Sequence, residues 1–347
     1  MLEKQQERPV FWLQIATVLL GITGLLAYAV SKFTSGRLIV IITVVGFLGF
    51  LMMIGLLAFR LKHPWKILRS VAISLLAVVI CTYLLLFLSV ISFQDAIANH
   101  TSSFFQPKRI TTEAARSLIA PDVTEILIPM QDGIILHGWL VRNSTEARTP
   151  LVIYFGGSGS EASEIVHLAR KLTGWSVALI NYRGFGLSEG TPTHEKALTD
   201  ALAIYDVLTA RDDIDSRRVV SMGYSLGTGV AVYLSEQRPL AGTILVSPYE
   251  QWTLIGLKQS PIYAPLEGFL KPYFDSLSRA PMIKLPMFCL VGSEDTFVPP
   301  ALSLELVEAW GGEARVITYQ GEDHGLLFHD NNSWNDILGF LQSLEQK

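Results

Sequence analysis

Ser225 lies in the sequence Gly-Tyr-Ser-Leu-Gly at residues 223–227, between a short β-rich run at 218–222 and a helix predicted over 225–236. A G-x-S-x-G sequence in that context predicts a tight turn from strand to helix, which holds the serine side chain clear of the sheet. The sequence therefore predicts Ser225 as a nucleophile. The N–H of Leu226, the next residue, is the predicted first donor to the oxyanion that forms when a carbonyl is attacked.

A serine nucleophile needs a base, and the base needs a carboxylate that orients it. His324 follows the last predicted strand, 315–319, and of the seven histidines it is the one placed at a strand end downstream of Ser225. Asp295 follows the predicted strand 287–291, with Glu294 beside it as the nearest rival. We therefore predict a triad of Ser225, Asp295 and His324.

The second oxyanion donor is expected from the loop at 156–160, which has the sequence Gly-Gly-Ser-Gly-Ser after a predicted strand at 151–155. A glycine-rich loop could instead cradle a phosphate, but this one lacks the Gly-Lys-Ser/Thr ending of a nucleotide-binding loop.

The elements that must position these residues alternate between strands and helices from residue 123 onward. That alternation predicts an α/β fold with a mostly parallel sheet covered on both faces. Asp132-Gly133 between the first two strands predicts an antiparallel hairpin at one edge. The predicted strands are 124–129, 134–142, 151–155, 176–182, 218–222, 242–246, 287–291 and 315–319, and the predicted helices are 161–172, 194–210, 225–236, 301–310 and 334–344.

Charge divides the 347-residue chain into two parts. Residues 1–95 hold 8 Lys and Arg against 3 Asp and Glu, whereas residues 96–347 hold 19 against 28. The acidic part has no basic tract of the kind that binds nucleic acid. Cys81 and Cys289 lack a C-x-x-C or histidine-rich neighbourhood, which predicts two buried thiols and neither a metal site nor a disulfide framework. No cofactor is implied.

Three uncharged apolar stretches, 11–30, 38–59 and 71–93, fill most of the basic part. Each is long enough to cross a hydrocarbon core of about 30 Å as a helix, which predicts three transmembrane helices and the lipid bilayer as a partner. Buried helices of a soluble domain are one alternative, which three such runs in succession disfavour. A cleaved signal peptide is another, because Ala27-Tyr28-Ala29 resembles a cleavage site.

Lys and Arg flank these stretches unevenly. Six lie in the N-terminal tail and in the loop at 60–70, and four lie on the opposite side. Because basic loops tend to stay in the cytoplasm, we predict a cytoplasmic N-terminus and an extracytoplasmic C-terminal domain. The predicted organisation is a membrane segment at 1–95, a connector at 96–122 and a globular domain at 123–347.

Residues 123–347 resemble the α/β-hydrolase-domain serine hydrolases, including relatives of lysophospholipases and acyl-protein thioesterases. Four segments carry the resemblance: the turn at 181–190, similar to D-Y-R-G-Y-G-x-S-x-G, the G-x-S-L-G at 223–227, Ser-Pro-Tyr at 247–249, and G-x-x-D-x-x-V-P at 292–299. The chain order of serine, aspartate and histidine is also that of this family. Two positions depart from the family pattern. Gly156-Gly157-Ser158 replaces His-Gly-Asn, where the resemblance implies Ser158, or alternatively Gly157, as the second oxyanion donor. Asn181 replaces an aspartate, which we interpret as structural.

The resemblance implies an α/β-hydrolase fold and hydrolysis of carboxylic esters or thioesters through an acyl-enzyme. Residues 252–274 lie where a cap over the site would be inserted, and their large apolar side chains include Trp252, Leu266 and Phe269 as predicted substrate contacts. Beside a membrane anchor, such a cap favours lipid-like or acylated substrates, whereas ordinary packing on the sheet is the alternative. A serine peptidase or amidase, and a catalytically silent membrane receptor or sensor, are the other open functions.

Overall fold

One eight-stranded sheet runs through the computed structural model, which describes residues 104–252 and 273–345. The spatial order of the strands is β1-β2-β4-β3-β5-β6-β7-β8. β2 pairs antiparallel with β1 and β4, and every other pairing in this sheet is parallel. The strands are β1 Val123–Pro129, β2 Ile135–Arg142, β3 Thr149–Phe155, β4 Ser176–Ile180, β5 Ile214–Tyr224, β6 Gly242–Val246, β7 Met287–Gly292 and β8 Ala314–Tyr319.

Helices connect most of these strands, and their first residues show why they start where they do. The Thr193 hydroxyl accepts from Lys196 N at 3.2 Å, and the Asp330 carboxylate accepts from Asn332 N and Ser333 N at 3.1 and 3.0 Å. Such caps satisfy N–H groups that a helix leaves unpaired. The helices are α1 Thr112–Ser117, α2 Val166–Ala169, α3 His194–Thr209, α4 Leu226–Gln237, α5 Pro300–Ala309, α6 Leu326–His329 and α7 Asn331–Leu344, with 3₁₀ turns at Ala162–Ile165 and Ala280–Met282.

The hairpin predicted from Asp132-Gly133 joins β1 to β2. Gly133 has a φ of 81°, a value that glycine adopts without steric cost, and Met130 N donates to Ile134 O at 2.8 Å across the turn. The mostly parallel sheet with an antiparallel hairpin at its N-terminal edge is therefore confirmed.

Side chains of the central strand β3 alternate between two hydrophobic clusters, one on each face of the sheet. Leu151, Ile153 and Phe155 belong to the first cluster, and Val152 and Tyr154 belong to the second. Residues from α3, α4 and α5 complete the first cluster, whereas residues from α2 and α7 complete the second. Because β3 is buried on both faces, its residues 151–155 form a continuous run of large, mainly apolar side chains instead of alternating with polar residues.

The single helix predicted over 161–172 is wrong in extent. The structure has the 3₁₀ turn Ala162–Ile165 followed by only one turn of α-helix, α2. Asn143 Nδ2 donates to Ala169 O at 2.8 Å and to Leu172 O at 3.2 Å, and it thereby satisfies two carbonyls at the end of the segment that lack an α-helical partner. A side chain from a distant loop thus caps the end of this segment, a contact that the apolar periodicity of 161–172 does not reveal.

Two bounds differ in a way that matters for the site. β5 extends to Tyr224, beyond the predicted end at Met222, and α4 begins at Leu226, so that Ser225 belongs to neither element. The short helices α1 and α6 were not predicted, because a helix of one or two turns leaves little periodicity in the sequence.

The three predicted membrane spans, 11–30, 38–59 and 71–93, lie outside the described residues, and the spans stay a prediction. Cys81 lies outside them too, whereas Cys289 is buried as a free thiol. Over residues 104–252 and 273–345, no helix is both long and apolar enough to cross a bilayer.

Candidate active site

Ser225 forms a one-residue turn between β5 and α4. Its φ of 51° and ψ of −121° lie in a region that residues with a side chain rarely adopt. The turn is held because Ser225 N donates to Val246 O at 3.0 Å, while Ser225 O accepts from Thr228 N at 2.9 Å and from Thr228 Oγ1 at 2.7 Å. The surrounding structure therefore fixes the serine in a strained conformation at the carboxyl end of the sheet.

The two glycines of the G-x-S-x-G sequence are required by packing. A Cβ on Gly223 would lie 2.5 Å from the Gly227 carbonyl oxygen, and a Cβ on Gly227 would lie 2.0 Å from the Phe155 carbonyl oxygen. Neither contact can be relieved by a side-chain rotation, because the opposing atoms are backbone. The first turn of α4 therefore packs directly on the end of β3, next to the loop at 156–160.

His324 lies between Ser225 and Asp295. Its Nε2 is 2.9 Å from Ser225 Oγ, and its Nδ1 is 2.7 Å from Asp295 Oδ2. His324 follows β8, Asp295 follows β7 and Ser225 follows β5, so parallel strands bring the three loops to one edge of the sheet. The structure brings together all three residues of the predicted triad.

Asp295 is the carboxylate that meets His324, and Glu294 is not. The Asp295 side chain is 1% exposed, and its second oxygen, Oδ1, accepts from Phe297 N at 3.0 Å and from Val298 N at 2.8 Å. Glu294 is exposed, and its own N–H donates to Glu322 O at 2.9 Å. Two backbone donors and one imidazole thus satisfy the buried carboxylate, as burial of a charge requires.

Two aromatic side chains flank the His324 ring. The buried ring of Tyr224 has its centroid 5.4 Å away, and the ring of Phe297, which is 47% exposed, has its centroid 4.9 Å away. Tyr224 OH also donates to His324 O at 3.0 Å. Burial raises the pKa of Tyr224, and the neighbouring Asp295 and Asp323 add to the rise, so the phenol stays protonated and continues to donate.

The predicted oxyanion donors lie where the first turn of α4 meets the loop after β3. Within the described part of the chain, the N–H groups of Leu226, Gly157 and Ser158 donate no hydrogen bond. Free N–H groups beside a nucleophile can bind the oxygen of an attacked carbonyl. Ser158 and Gly157 both stay candidates for the second donor.

Trp252 is the one predicted substrate contact that falls within the described residues. It is half-buried, with its ring 5.3 Å from Tyr249, 6.1 Å from Phe104 and 6.3 Å from Phe297. An aromatic surface therefore extends from Trp252 through Phe297 to His324. Leu266 and Phe269 lie in the segment 253–272, outside the described residues.

The turn at 181–190 supports the site without supplying a reactive group. Asn181 is buried, where its Nδ2 donates to Glu161 Oε1 at 2.7 Å and its Oδ1 accepts from Ala162 N at 3.0 Å. Both amide atoms are used inside the fold, which agrees with the structural interpretation of this position.

Arg183, in the same turn, makes an ion-pair cluster. It donates to both oxygens of Asp200 on α3, at 2.7 and 2.8 Å, and to both oxygens of Asp132 in the hairpin, at 2.7 and 3.2 Å. Lys196 also donates to Asp132, at 2.8 Å. The cluster fastens the hairpin to α3.

Sequence reasoning missed Phe297 and Tyr224 as neighbours of His324. Both lie inside motifs that were recognised, but at positions that those motifs leave free.

Across residues 104–252 and 273–345, no group of three or more His, Cys, Asp or Glu side chains is placed to hold a metal ion.

The geometry agrees with comparisons to known proteins. The model for the alpha/beta hydrolase fold matches residues 134–266. Rv2307c, an uncharacterized protein of Mycobacterium tuberculosis, is 32% identical over 210 residues, which cover 60% of this chain and 74% of that protein. The alpha/beta hydrolase domain-containing protein WAV2 of Arabidopsis thaliana is 30% identical over 209 residues, which cover 54% of this chain and 66% of that protein. The chain belongs to the alpha/beta hydrolase family.

A solved structure shares the architecture of this alpha/beta hydrolase. The Pyrococcus furiosus esterase Pf2001 aligns with a TM-score of 0.54 and 19% sequence identity, over 70% of this chain and 98% of the esterase. At that identity the likeness concerns the fold. Membership of the alpha/beta hydrolase family is therefore confirmed, whereas the finer resemblance to serine hydrolases related to lysophospholipases and acyl-protein thioesterases stays a prediction.

Proposed function

We propose that the chain is a serine hydrolase that cleaves carboxylic ester or thioester bonds, with Ser225 as nucleophile, His324 as general base and acid, and Asp295 as the residue that orients His324. One observation carries the proposal: a single imidazole is within hydrogen-bond distance of both Ser225 Oγ, at 2.9 Å, and a buried carboxylate, at 2.7 Å. A nucleophile joined to a base, and a base joined to an orienting group, is the arrangement that nucleophilic catalysis needs.

The proposed reaction proceeds in two halves. Ser225 Oγ attacks the carbonyl carbon while its proton passes to His324 Nε2, and the resulting oxyanion is bound by Leu226 N–H together with Ser158 or Gly157 N–H. The intermediate collapses to an acyl-enzyme, and the leaving alcohol or thiol takes the proton from His324. Water then attacks the acyl-enzyme, giving its proton to His324, and the acid departs as that proton returns to Ser225.

The strained turn and the buried acid both serve this mechanism. Because Ser225 is fixed at the start of α4, the N–H of Leu226 and the helix dipole are in place before the oxyanion develops. Asp295 receives Nδ1–H from His324, which leaves Nε2 free to accept the serine proton. The expected tautomer of His324, with hydrogen on Nδ1, is therefore the one that can accept the Ser225 proton at Nε2.

We further propose that the substrate is apolar next to the scissile bond, and lipid-like or acylated compounds are the class we favour. The exposed ring of Phe297 against His324, and Trp252 beyond it, support this. Leu266 and Phe269 are proposed as further substrate contacts. Anchoring of the domain to a bilayer by residues 1–95, with the domain extracytoplasmic, is part of the proposal, and it rests on the apolar stretches and their flanking charges.

The experiment that tests the nucleophile is labelling of the purified full chain with a fluorophosphonate probe, followed by peptide mapping. We expect the label on Ser225 and its loss in Ser225→Ala, together with a loss of p-nitrophenyl ester turnover of several orders of magnitude. Unchanged ester turnover in Ser225→Ala would overturn the mechanism. Faster cleavage of matched amides than of esters would move the proposal to a peptidase or amidase.

A further inference from the structure

Residues 104–109, here called the strap, run across the loop that follows β3. Gln106 N donates to Ser158 O at 2.7 Å. Further along the strap, Lys108 O accepts from Gly186 N at 2.7 Å, and Arg109 pairs with Gly186 as a parallel bridge. The strap therefore links two loops at the carboxyl edge of the sheet, one of which holds the candidate oxyanion donors.

Two buried aromatic side chains hold the strap in place. Phe104 is 8% exposed and Phe105 is 4% exposed. The Phe104 ring packs 5.2 Å from that of Tyr273, and the Phe105 ring packs 5.4 Å from that of Tyr182. Because both rings are embedded in the aromatic core, the backbone of Gln106 behind them is a fixed donor even though the Gln106 side chain is exposed.

The loop at 156–160 needs such a support, because three of its five residues are glycine. Tyr182 OH donates to Gly156 O at 3.0 Å, and Ser160 N donates to Gly157 O at 3.2 Å. Among the described residues, the Gln106 N–H is the partner of the Ser158 carbonyl, and a Cβ on Gly159 would lie 3.6 Å from Gln106 Oε1. The middle of the loop is thus held by the strap.

We propose that Gln106 is a positioning residue whose backbone N–H fixes the Ser158–Gly159 peptide group. The adjoining Gly157–Ser158 peptide, which carries the Ser158 N–H, is thereby preorganised as an oxyanion donor. The inference rests on the proposed function, since it assigns a support to one part of that site. An oxyanion donor is effective only when it is already in place as charge develops, and a displacement of about 1 Å can cost roughly 100-fold in rate.

The test removes the backbone N–H donor of residue 106. Gln106→Pro lacks the donor, while Gln106→Ala keeps it and changes only the side chain. Residue 106 precedes Pro107, so its backbone is already confined to the extended region that suits proline. Both variants of the full chain are assayed with p-nitrophenyl butyrate, and active sites are counted by fluorophosphonate labelling.

We expect Gln106→Pro to lower kcat by about 10- to 100-fold with little change in KM, and Gln106→Ala to keep near wild-type kcat. Affinity for a trifluoromethyl ketone, which forms an oxyanion on Ser225, should fall in parallel with kcat/KM in Gln106→Pro. Thermal midpoints are measured for both variants. Replacing residue 106 by the matching hydroxy acid, which turns its N–H into an ester oxygen, gives a second removal of the donor if the proline variant does not fold.

Equal kcat in the proline, hydroxy-acid and alanine variants would overturn the inference, as would a loss confined to KM. The inference would also be overturned if kcat fell equally in all three variants and in proportion to their thermal midpoints, because the strap would then have a purely structural role. The proposed function fails separately: in that case wild type itself is neither labelled at Ser225 nor active on esters.

Discussion

At the scale of single residues, the adjacent carboxylates of Asp295 and Glu294 lie in different environments. Asp295 points its side chain into the fold to meet His324 and two backbone N–H groups, whereas Glu294 is exposed. The difference follows from the turn after β7, in which Asp295 N donates to Gly292 O at 3.3 Å. Sequence alone ranked the two by motif, and the structure supplies the physical ground for the ranking.

Asp295→Asn should lower kcat by about 10⁴-fold while the fold is kept, because an amide cannot hold His324 in the productive tautomer. Steady-state kinetics with p-nitrophenyl butyrate and a thermal melt measure the two effects. Glu294→Gln is the matched control and should retain activity. A crippled Glu294→Gln beside a mildly affected Asp295→Asn would reverse the assignment.

Ser225→Gly should be more stable than Ser225→Ala, because glycine adopts a φ of 51° without the steric cost that alanine keeps. A gain of about 1 kcal/mol would raise the midpoint by roughly 2–4 °C in a domain of this size. Differential scanning calorimetry of the two inactive variants measures it. A midpoint for Ser225→Gly at or below that of Ser225→Ala would show that the turn is not strained.

The leaving group must reach His324 to receive its proton, and Phe297 lies beside that ring. In a series of acetate esters of longer alcohols, kcat/KM should therefore rise, by up to about fourfold per buried methylene. Phe297→Ala should flatten that slope, while Leu127→Ala, an exposed apolar residue on β1, should leave it. A preference for methyl over hexyl acetate below the micelle threshold would remove the case for apolar substrates.

The triad could be predicted because each member follows a predicted strand inside a recognisable motif. Phe297, Tyr224 and Gln106 could not, because each acts on the site through a contact that forms only when distant segments meet. The Gln106 contact uses a backbone N–H, which every residue other than proline carries, and no sequence pattern distinguishes it.

At the scale of elements, periodicity predicted the strands within a few residues and placed the longer helices correctly. At 161–172 the structure has a 3₁₀ turn and one α-helical turn instead of the predicted helix, and a tertiary donor, Asn143 Nδ2, binds the carbonyls of Ala169 and Leu172. The start of α4 was misplaced by one residue for a related reason, since Ser225 is held out of the helix by its bond to Val246 O. Tertiary hydrogen bonds therefore set the element ends that matter most.

The Arg183 cluster gives a prediction about acid stability. Hydrogen bonds from Arg183, and then from Lys196, lower the pKa of Asp132 below its usual range. A depressed folded-state pKa stabilises the fold above the unfolded-state pKa, about 4, and the benefit is lost as pH falls through the folded-state value.

Asp132→Asn should therefore melt below wild type at pH 6, and the gap should shrink as the pH is lowered from 4 towards 2. Circular dichroism melts across that range measure it. Glu308→Gln, at an exposed position on α5, is the control and should show no such convergence. A gap that widens on acidification would contradict the assigned role of the cluster.

At the scale of the whole molecule, alternation of strands and helices was sufficient to predict the class of fold, because parallel strands need crossover helices on both faces. The spatial order of the strands does not follow from alternation, and here β4 lies between β2 and β3. The division at 1–95, 96–122 and 123–347 stays a prediction, although the structure does show Phe104 and Phe105 packed in the domain core.

The predicted orientation in the membrane is tested with reporter fusions. An alkaline phosphatase fused after the C-terminus should be active, since that domain is expected outside the cytoplasm, and a reporter that works only in the cytoplasm should be silent. This expectation rests on the basic loop at 60–70, because loops rich in Lys and Arg tend to stay in the cytoplasm. The opposite pattern would place the hydrolase domain in the cytoplasm.

The separation of the triad along the chain has a consequence for biosynthesis. Ser225 and His324 are 99 residues apart. At a translation rate of roughly 5–20 residues per second, the serine leaves the ribosome about 5–20 s before the histidine does. Throughout that interval the nascent chain carries its proposed nucleophile without its base, so it would be unable to hydrolyse esters that it meets during synthesis.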